Sequence, residues 1–277
     1  MSRFAGTPAR QVHVEPVMGT VVSFDVRPPY VSPGAVRAAC DVLHDIDRRF
    51  SLYRSDSELG RLEAGLVTEA ELTDDVRWVL AACDELARTS GGAFDARRHR
   101  ADGIVDPSGF VKGWAVEEAA RILDRAGAEN YLLTAGGDVV ARGRGDGGAP
   151  WRIGVRHPEI IDRVAAVLAV GRGAVATSGL YERGEHIRDP RTGDVPRSLL
   201  SFSVVGPDLA WADAYATTGF VMGMDGLAWV ESHPGYGALA ITPELEIVWS
   251  PSAEAHRFIA PAAGADFSAA SQPKALS

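Results

Sequence analysis

Cysteine is scarce: Cys40 and Cys83 are the two present among 277 residues. They form no Cys-x-x-Cys pair, and each falls on an apolar helical stripe, so two buried thiols in a reducing compartment are expected. Basic residues are outnumbered, with 28 Lys and Arg against 37 Asp and Glu and a net charge of −9. That balance argues against a nucleic-acid binder, which usually shows a basic face. It leaves room for an anionic small molecule, because a local pocket of cations can override the global sign. No apolar run approaches the length of a membrane span. Met1 to Val17 holds neither a continuous apolar segment nor a lipid-accepting cysteine, and a cytoplasmic location is expected. His-Glu-x-x-His spacing is absent, and no Gly-rich run has Walker spacing before a Lys-Ser/Thr. Zincin and P-loop chemistry are thereby disfavoured.

What is present is ordinary for a globular chain: 46% hydrophobic and 23% charged residues. The length allows one large domain or two intimate halves. Residues 12–261 read as one domain, flanked by a flexible 1–11 and a disordered Ala/Ser/Pro-rich tail at 262–277. Val12 to Val26 reads as a strand interrupted at Met18-Gly19-Thr20. Ser32-Pro33 opens a helix with Val36, Ala39, Cys40, Leu43, Ile46 and Phe50 on one face. Thr73 caps another, in which Val76, Val79, Leu80, Cys83 and Leu86 turn inward. Strands are expected at Trp151–Val155, Ala165–Val170 and Leu200–Val205, while Ala174–Gly179 leads into Tyr181–His186. Asp208 caps a helix to about Met222, Asp225 starts another, and Ala238–Ile241 pairs with Glu246–Ser250. Strands and helices followed by strands and helices again predict an α+β fold.

The stretch from Asp106 to Gly143 organises the rest. Asp106-Pro107-Ser108-Gly109-Phe110-Val111-Lys112-Gly113 reads as a loop feeding a helix from about Trp114 to Ala126, with Gly127 at its C-cap. A lysine flanked by glycines near a helix start suits an anionic ligand. Equally, the unit could be a tight loop, helix and strand with a solvated Lys112. Asp213 and Thr217, four apart on a helix, share a face. This hard oxygen pair suits Mg²⁺, and it also suits a solvated helix surface. Tyr53 fits either the core or a plate for a planar ring. His186, between Glu185 and Asp189, belongs to no zinc motif.

The order of the motifs separates these readings. Met18-Gly19-Thr20, Phe50-Ser51-x-Tyr53, Gly91-Gly92-Ala93-Phe94-Asp95 and Ser108-Gly109-x-x-Lys112-Gly113 come first. Ala135-Gly136-Gly137-Asp138, Ala176-Thr177-Ser178-Gly179, His186-Ile187-x-Asp189-Pro190-x-Thr192-Gly193 and Ala212-Asp213-Ala214-x-x-Thr217 follow. Together, over roughly Val14 to Gly223, they resemble the ApbE family of FAD:protein FMN transferases. The resemblance implies an α+β fold with internally duplicated halves and a ligand cleft between them. It implies FAD as substrate beside Mg²⁺, with Met18 and Tyr53 against the flavin. Ala93, Phe94, Asp95, Asp106, Lys112, His186 and Ile187 would contact other parts of FAD. The Gly109 carbonyl, Asp213 and Thr217 would hold the metal. Lys112 would neutralise phosphate oxygens, and His186 is the candidate proton acceptor. The partner would be an acceptor flavoprotein bearing a Ser or Thr hydroxyl; a Mg²⁺-dependent FAD pyrophosphatase and a non-catalytic FAD carrier are the alternatives. The sequence departs from the family pattern at Glu63, where Asn is frequent, at Ala96 for Thr, and at Trp114 for Tyr.

Overall fold

Strands Gln11–Val17 (β1) and Thr20–Arg27 (β2) pair antiparallel through a two-residue turn, Met18-Gly19, with Val17 opposite Thr20. Both turn residues have positive φ, 54° and 66°, as the tightest hairpin turns require. For Met18 that conformation is unusual and holds a side chain at the hairpin tip. The structure is a computed structural model, and it describes residues 10–29, 31–98, 104–180 and 187–259.

Helix α1 (Pro33–Phe50) follows with Pro33 in its first turn and buries the expected stripe from Val36 to Phe50. A short α2 (Glu58–Glu63) is capped by Ser57, which accepts from the Gly60 N–H. Helix α3 (Asp74–Thr89) begins after Thr73, but the Thr73 hydroxyl does not cap it; it donates to Glu58 Oε1 at 2.9 Å. Helix α4 spans Ser108–Arg125, six residues earlier than the sequence suggested. Gly109 and Gly113 are therefore helical, and tertiary packing explains why. A Cβ at 113 would lie 2.5 Å from the Leu209 carbonyl oxygen and 2.9 Å from Asp213 Cβ. Close approach of a second helix outweighs the roughly 1 kcal/mol that glycine costs in a helix interior.

Strands β3 (Asn130–Ala135), β4 (Asp138–Arg142), β5 (Trp151–Arg156), β6 (Val164–Val170), β7 (Gly173–Gly179) and β8 (Ser201–Gly206) follow. Helices α5 (Leu209–Met222) and α6 (Asp225–Glu231) precede β9 (Gly237–Ile241), β10 (Ile247–Trp249) and a last turn, α7 (Pro251–Glu254). Asp208 caps α5 by accepting from the Ala210 N–H at 2.9 Å. The architecture is α+β. Among the described residues, eight strands form one antiparallel sheet in the order β1-β2-β3-β4-β7-β8-β9-β10, while β5 and β6 form a separate pair. Strands β1–β4 and β7–β10 are thus two consecutive sets of four, joined through β4 and β7.

One sheet face, with Phe24, Leu133, Val140, Phe202 and Val204, packs on α1, α4 and α5, and α3 joins the same core against α4. The other face of the middle strands, with Val139, Val175, Val205 and Leu239, is covered by Trp151, Ile153 and Leu168 of the β5–β6 pair. Covered on both sides, β4 and β8 are buried throughout, their polar Asp138, Arg142, Ser201 and Ser203 included. Helix α5 is buried nearly all round, which seats Asp213 in the interior. Both cysteines are buried and free. No helix among the described residues is long and apolar enough to cross a membrane.

Candidate functional site

A cleft of about 340 Å³ opens at one end of the sheet. Four segments distant in sequence line it: the β1–β2 turn (Met18, Gly19), the exit of α1 (Phe50 to Tyr53), the start of α4 (Asp106 to Gly109, Val111 and Lys112) and Thr177 to Gly179 at the end of β7. Gly136, Ile187, Asp213 and Thr217 complete the wall. Of the residues expected at the site, Met18, Tyr53, Asp106, Gly109, Lys112, Ile187, Asp213 and Thr217 are brought together here.

The floor is electrostatic. Asp213, 4% exposed, accepts from the Gly113 N–H at 3.1 Å through Oδ2. Its Oδ1 lies 3.4 Å from Lys112 Nζ. The same ammonium pairs with Asp138, 1% exposed, whose Oδ1 also accepts from the Thr177 N–H at 3.1 Å. One cation is thus shared by two buried carboxylates, while Asp47 and Asp106 add negative charge to the lining. Burial pushes the Asp213 carboxyl up to about 7; Lys112 opposes the rise and Asp138 adds to it. Thr217, one turn after Asp213, shares a hydrogen bond of 3.1 Å with the Ser178 hydroxyl.

These groups fit a hard divalent cation. Carboxylate, hydroxyl and carbonyl are the oxygen donors Mg²⁺ prefers. The Gly113 amide, which a regular helix aims at the Gly109 carbonyl, also serves Asp213, so that carbonyl keeps lone-pair capacity. A cation on Asp213 would offset a buried charge that Lys112 cannot neutralise for both acids.

The upper wall is apolar and aromatic. Tyr53 is 97% exposed, which removes the core reading and leaves an aromatic face free at the rim. Met18 is half-buried against the core below it.

Other expected residues lie elsewhere. Phe94 is buried behind α4, its ring 3.1 Å from where a Gly109 Cβ would stand. Ala93 is buried beside it, and Asp95 folds back to accept from the N–H groups of Arg97 and Arg98 at 2.8 and 3.2 Å. None of the three lines the cleft; Phe94 backs the lining residue Gly109 from behind. His186 lies outside the described residues. Glu63 is exposed at the end of α2 and is not part of the lining. Sequence reasoning gave Asp138 no role although Gly136-Gly137-Asp138 stood out. Its signal was a carboxylate directly after a Gly-Gly turn whose φ values are 55° and 95°, a geometry that ends β3 at the cleft and turns Asp138 inward.

The sequence model of the ApbE family matches residues 18–101 and 96–240. A Vibrio cholerae protein named FAD:protein FMN transferase is 28% identical, the match covering 82% of this chain and 86% of that one. A Haemophilus influenzae protein of the same name is 26% identical over 71% of this chain and 77% of its own. Among solved structures, the flavin transferase ApbE from Vibrio cholerae superposes with a TM-score of 0.78 at 24% identity, covering 90% of this chain and 99% of that one.

Proposed function

The chain belongs to the ApbE family, and we propose that it is an FAD:protein FMN transferase that uses Mg²⁺. The reaction joins the FMN half of FAD to a Ser or Thr hydroxyl of an acceptor flavoprotein and releases AMP. The observation that carries the reading is one cleft holding an exposed aromatic plate, Tyr53, above a buried acid, Asp213, that shares Lys112 with Asp138.

Bound Mg²⁺ would supply charge neutralisation at the pyrophosphate, the main requirement of phosphoryl transfer. Asp213, Thr217 and the Gly109 carbonyl would hold it. Tyr53 and Met18 orient the flavin ring, and Ile187 lines its apolar surroundings. Lys112, kept in place by Asp138, reaches non-bridging oxygens as charge builds on them. The acceptor hydroxyl oxygen bonds to the FMN phosphorus, the bridging P–O bond breaks, and its electron pair leaves with AMP. His186 is the proposed acceptor of the hydroxyl proton. The two buried free thiols suit the reducing cytoplasm as the place of reaction.

The test incubates FAD and Mg²⁺ with and without candidate acceptors and follows AMP, free FMN and protein-bound flavin. Transfer predicts AMP and bound flavin in equal amounts, dependent on acceptor and Mg²⁺. Free FMN in place of bound flavin makes the protein a pyrophosphatase, and intact FAD makes it a carrier.

A further inference from the structure

On the outer edge of the sheet, β1 and α1 bring together four metal-ligating side chains that flavin transfer does not use. A strand places alternate residues on one face, so His13 and Glu15 of β1 point to the same side. A helix places residues four apart on one face, so Cys40 and His44 of α1 answer them. His13 Nε2 stands 2.8 Å from Glu15 Oε2, and His44 Nε2 stands 2.8 Å from Glu15 Oε1. Ligand atoms of His13, Glu15 and Cys40 all lie within 4.8 Å of one another. The Cys40 thiol is buried against the Glu15 carboxylate, while both imidazoles reach the surface.

We propose that this cluster is a zinc site, with His13, Glu15 and Cys40 as ligands and His44 as the fourth. The donor set of one thiolate, two imidazoles and one carboxylate is the kind zinc binds tetrahedrally. Bond lengths of 2.0–2.3 Å place neighbouring ligand atoms about 3.4–3.6 Å apart at tetrahedral angles. His13, Glu15 and Cys40 already hold their ligand atoms within 4.8 Å of one another, and His44 joins the set through Glu15 at 2.8 Å. Rotation of the half-exposed His44 side chain would complete the coordination. Mg²⁺ is a poor match, because it prefers oxygen and avoids thiolate. Binding replaces the Cys40 S–H proton, and any proton shared between Glu15 and the imidazoles, which pass to solvent. The exposed imidazoles give the ion its entry.

The site is separate from the cleft. Cys40 precedes Phe50 by ten residues of α1, which is about 15 Å along the helix. Both elements that it ties run into the cleft, β1 ending at Met18 and α1 leading to Tyr53. A zinc ion here would fix the relative placement of those two flavin-facing residues from a distance, a positioning role rather than a catalytic one.

The test uses the full chain in excess Mg²⁺, which keeps the oxygen ligands of the cleft occupied. Zinc is titrated against a chromophoric chelator, and cobalt(II) serves as a spectroscopic probe. One zinc per chain is expected, together with a near-ultraviolet thiolate-to-cobalt charge-transfer band. Cys40→Ser should abolish the band and weaken zinc binding more than about 100-fold, since even outer-shell partners contribute 10–100-fold. His44→Ala, at an exposed position that leaves folding intact, should weaken it at least about tenfold. Asp213→Ala should leave the stoichiometry and the band unchanged. The proposal is overturned by any of three results: no zinc held at equimolar concentration, a cobalt complex lacking the thiolate band, or binding that survives Cys40→Ser and His44→Ala but disappears with Asp213→Ala.

Discussion

The Gly113 amide and the Asp213 carboxylate meet at 3.1 Å across a helix contact that has no room for a Cβ at position 113. That contact sets how far Asp213 stands from Lys112 and Gly109. Gly113→Ala should push α5 away from α4, because the Leu209 carbonyl oxygen at 2.5 Å is backbone and cannot rotate aside. Overpacking of this kind costs about 1–3 kcal/mol, and the displaced carboxylate should weaken Mg²⁺ binding as well. Urea unfolding and Mg²⁺-dependent turnover measure the two effects. A folded variant with wild-type turnover at limiting Mg²⁺ would show that the close approach does not set the site.

Tyr53 supports a prediction that separates binding from stability. Its side chain is almost wholly exposed, so removing it takes nothing from the core. Tyr53→Ala should lower FAD affinity by the about 0.5–1.5 kcal/mol of an aromatic stack, roughly two- to twelve-fold, with the melting temperature unchanged. Tyr53→Phe should retain most of the affinity. Calorimetric titration beside a melting curve distinguishes this from the opposite pattern, a lower melting temperature at constant affinity.

Much of this arrangement was legible in the sequence. The stripe of α1 and that of α3 announce themselves because each buries one face at helical spacing. The order of short motifs pointed to Met18, Lys112, Asp213 and Thr217, which the chain gathers into one cleft. The start of α4 was hidden because Gly109 and Gly113 look like loop residues until Phe94 and Leu209 are seen against them. Asp138 was hidden because its partner, Lys112, reaches it only through the packing of α4 on the sheet. The sequence holds just two lysines, Lys112 and Lys274, and that scarcity was an unused pointer. Phe94 and Asp95 belong to one of the motifs that carried the family resemblance, yet the Phe94 ring packs against Gly109 and Asp95 closes a local turn. Glu63, the most conspicuous departure, stands in solvent, so Glu63→Asn should leave the ratio of bound to free FMN unchanged.

Asp213 also sets a pH dependence. Its folded-state pKa, about 7, stands above the ordinary 3.8 because burial penalises the charged form. For a group raised in this way, the native state holds the proton more tightly than the unfolded chain does. Its contribution is full below about 4 and is lost as pH rises through about 7. In metal-free protein, Asp213→Asn removes the ionisation while keeping an oxygen to accept from Gly113. The variant should gain on wild type by about 2–3 kcal/mol between pH 5 and pH 8. At saturating Mg²⁺ the order should reverse, since the carboxylate then has its cation. A stability difference that stays constant across this range would refute the assignment.

Behind the cleft, Glu117 and Arg142 form an ion pair in which both side chains are 4% exposed. Glu117 Oε2 accepts from the Leu209 N–H at 3.0 Å at the start of α5, and Arg142 donates to the Gly173 carbonyl at 3.0 Å. Burial pushes the Glu117 carboxyl up, and Arg142 holds it down. Arg142→Met keeps most of the volume and strands that carboxylate, so it should cost about 3–5 kcal/mol, the usual penalty for breaking a buried pair. Adding Glu117→Gln removes the uncompensated charge and retains an acceptor for Leu209. The double variant should therefore be more stable than Arg142→Met alone, although it lacks two native charges. Urea denaturation of the four proteins in the cycle measures the coupling directly. If Arg142→Met lies within 1 kcal/mol of wild type, or if the second substitution lowers stability further, the pair is not what holds α4 to β4 and α5.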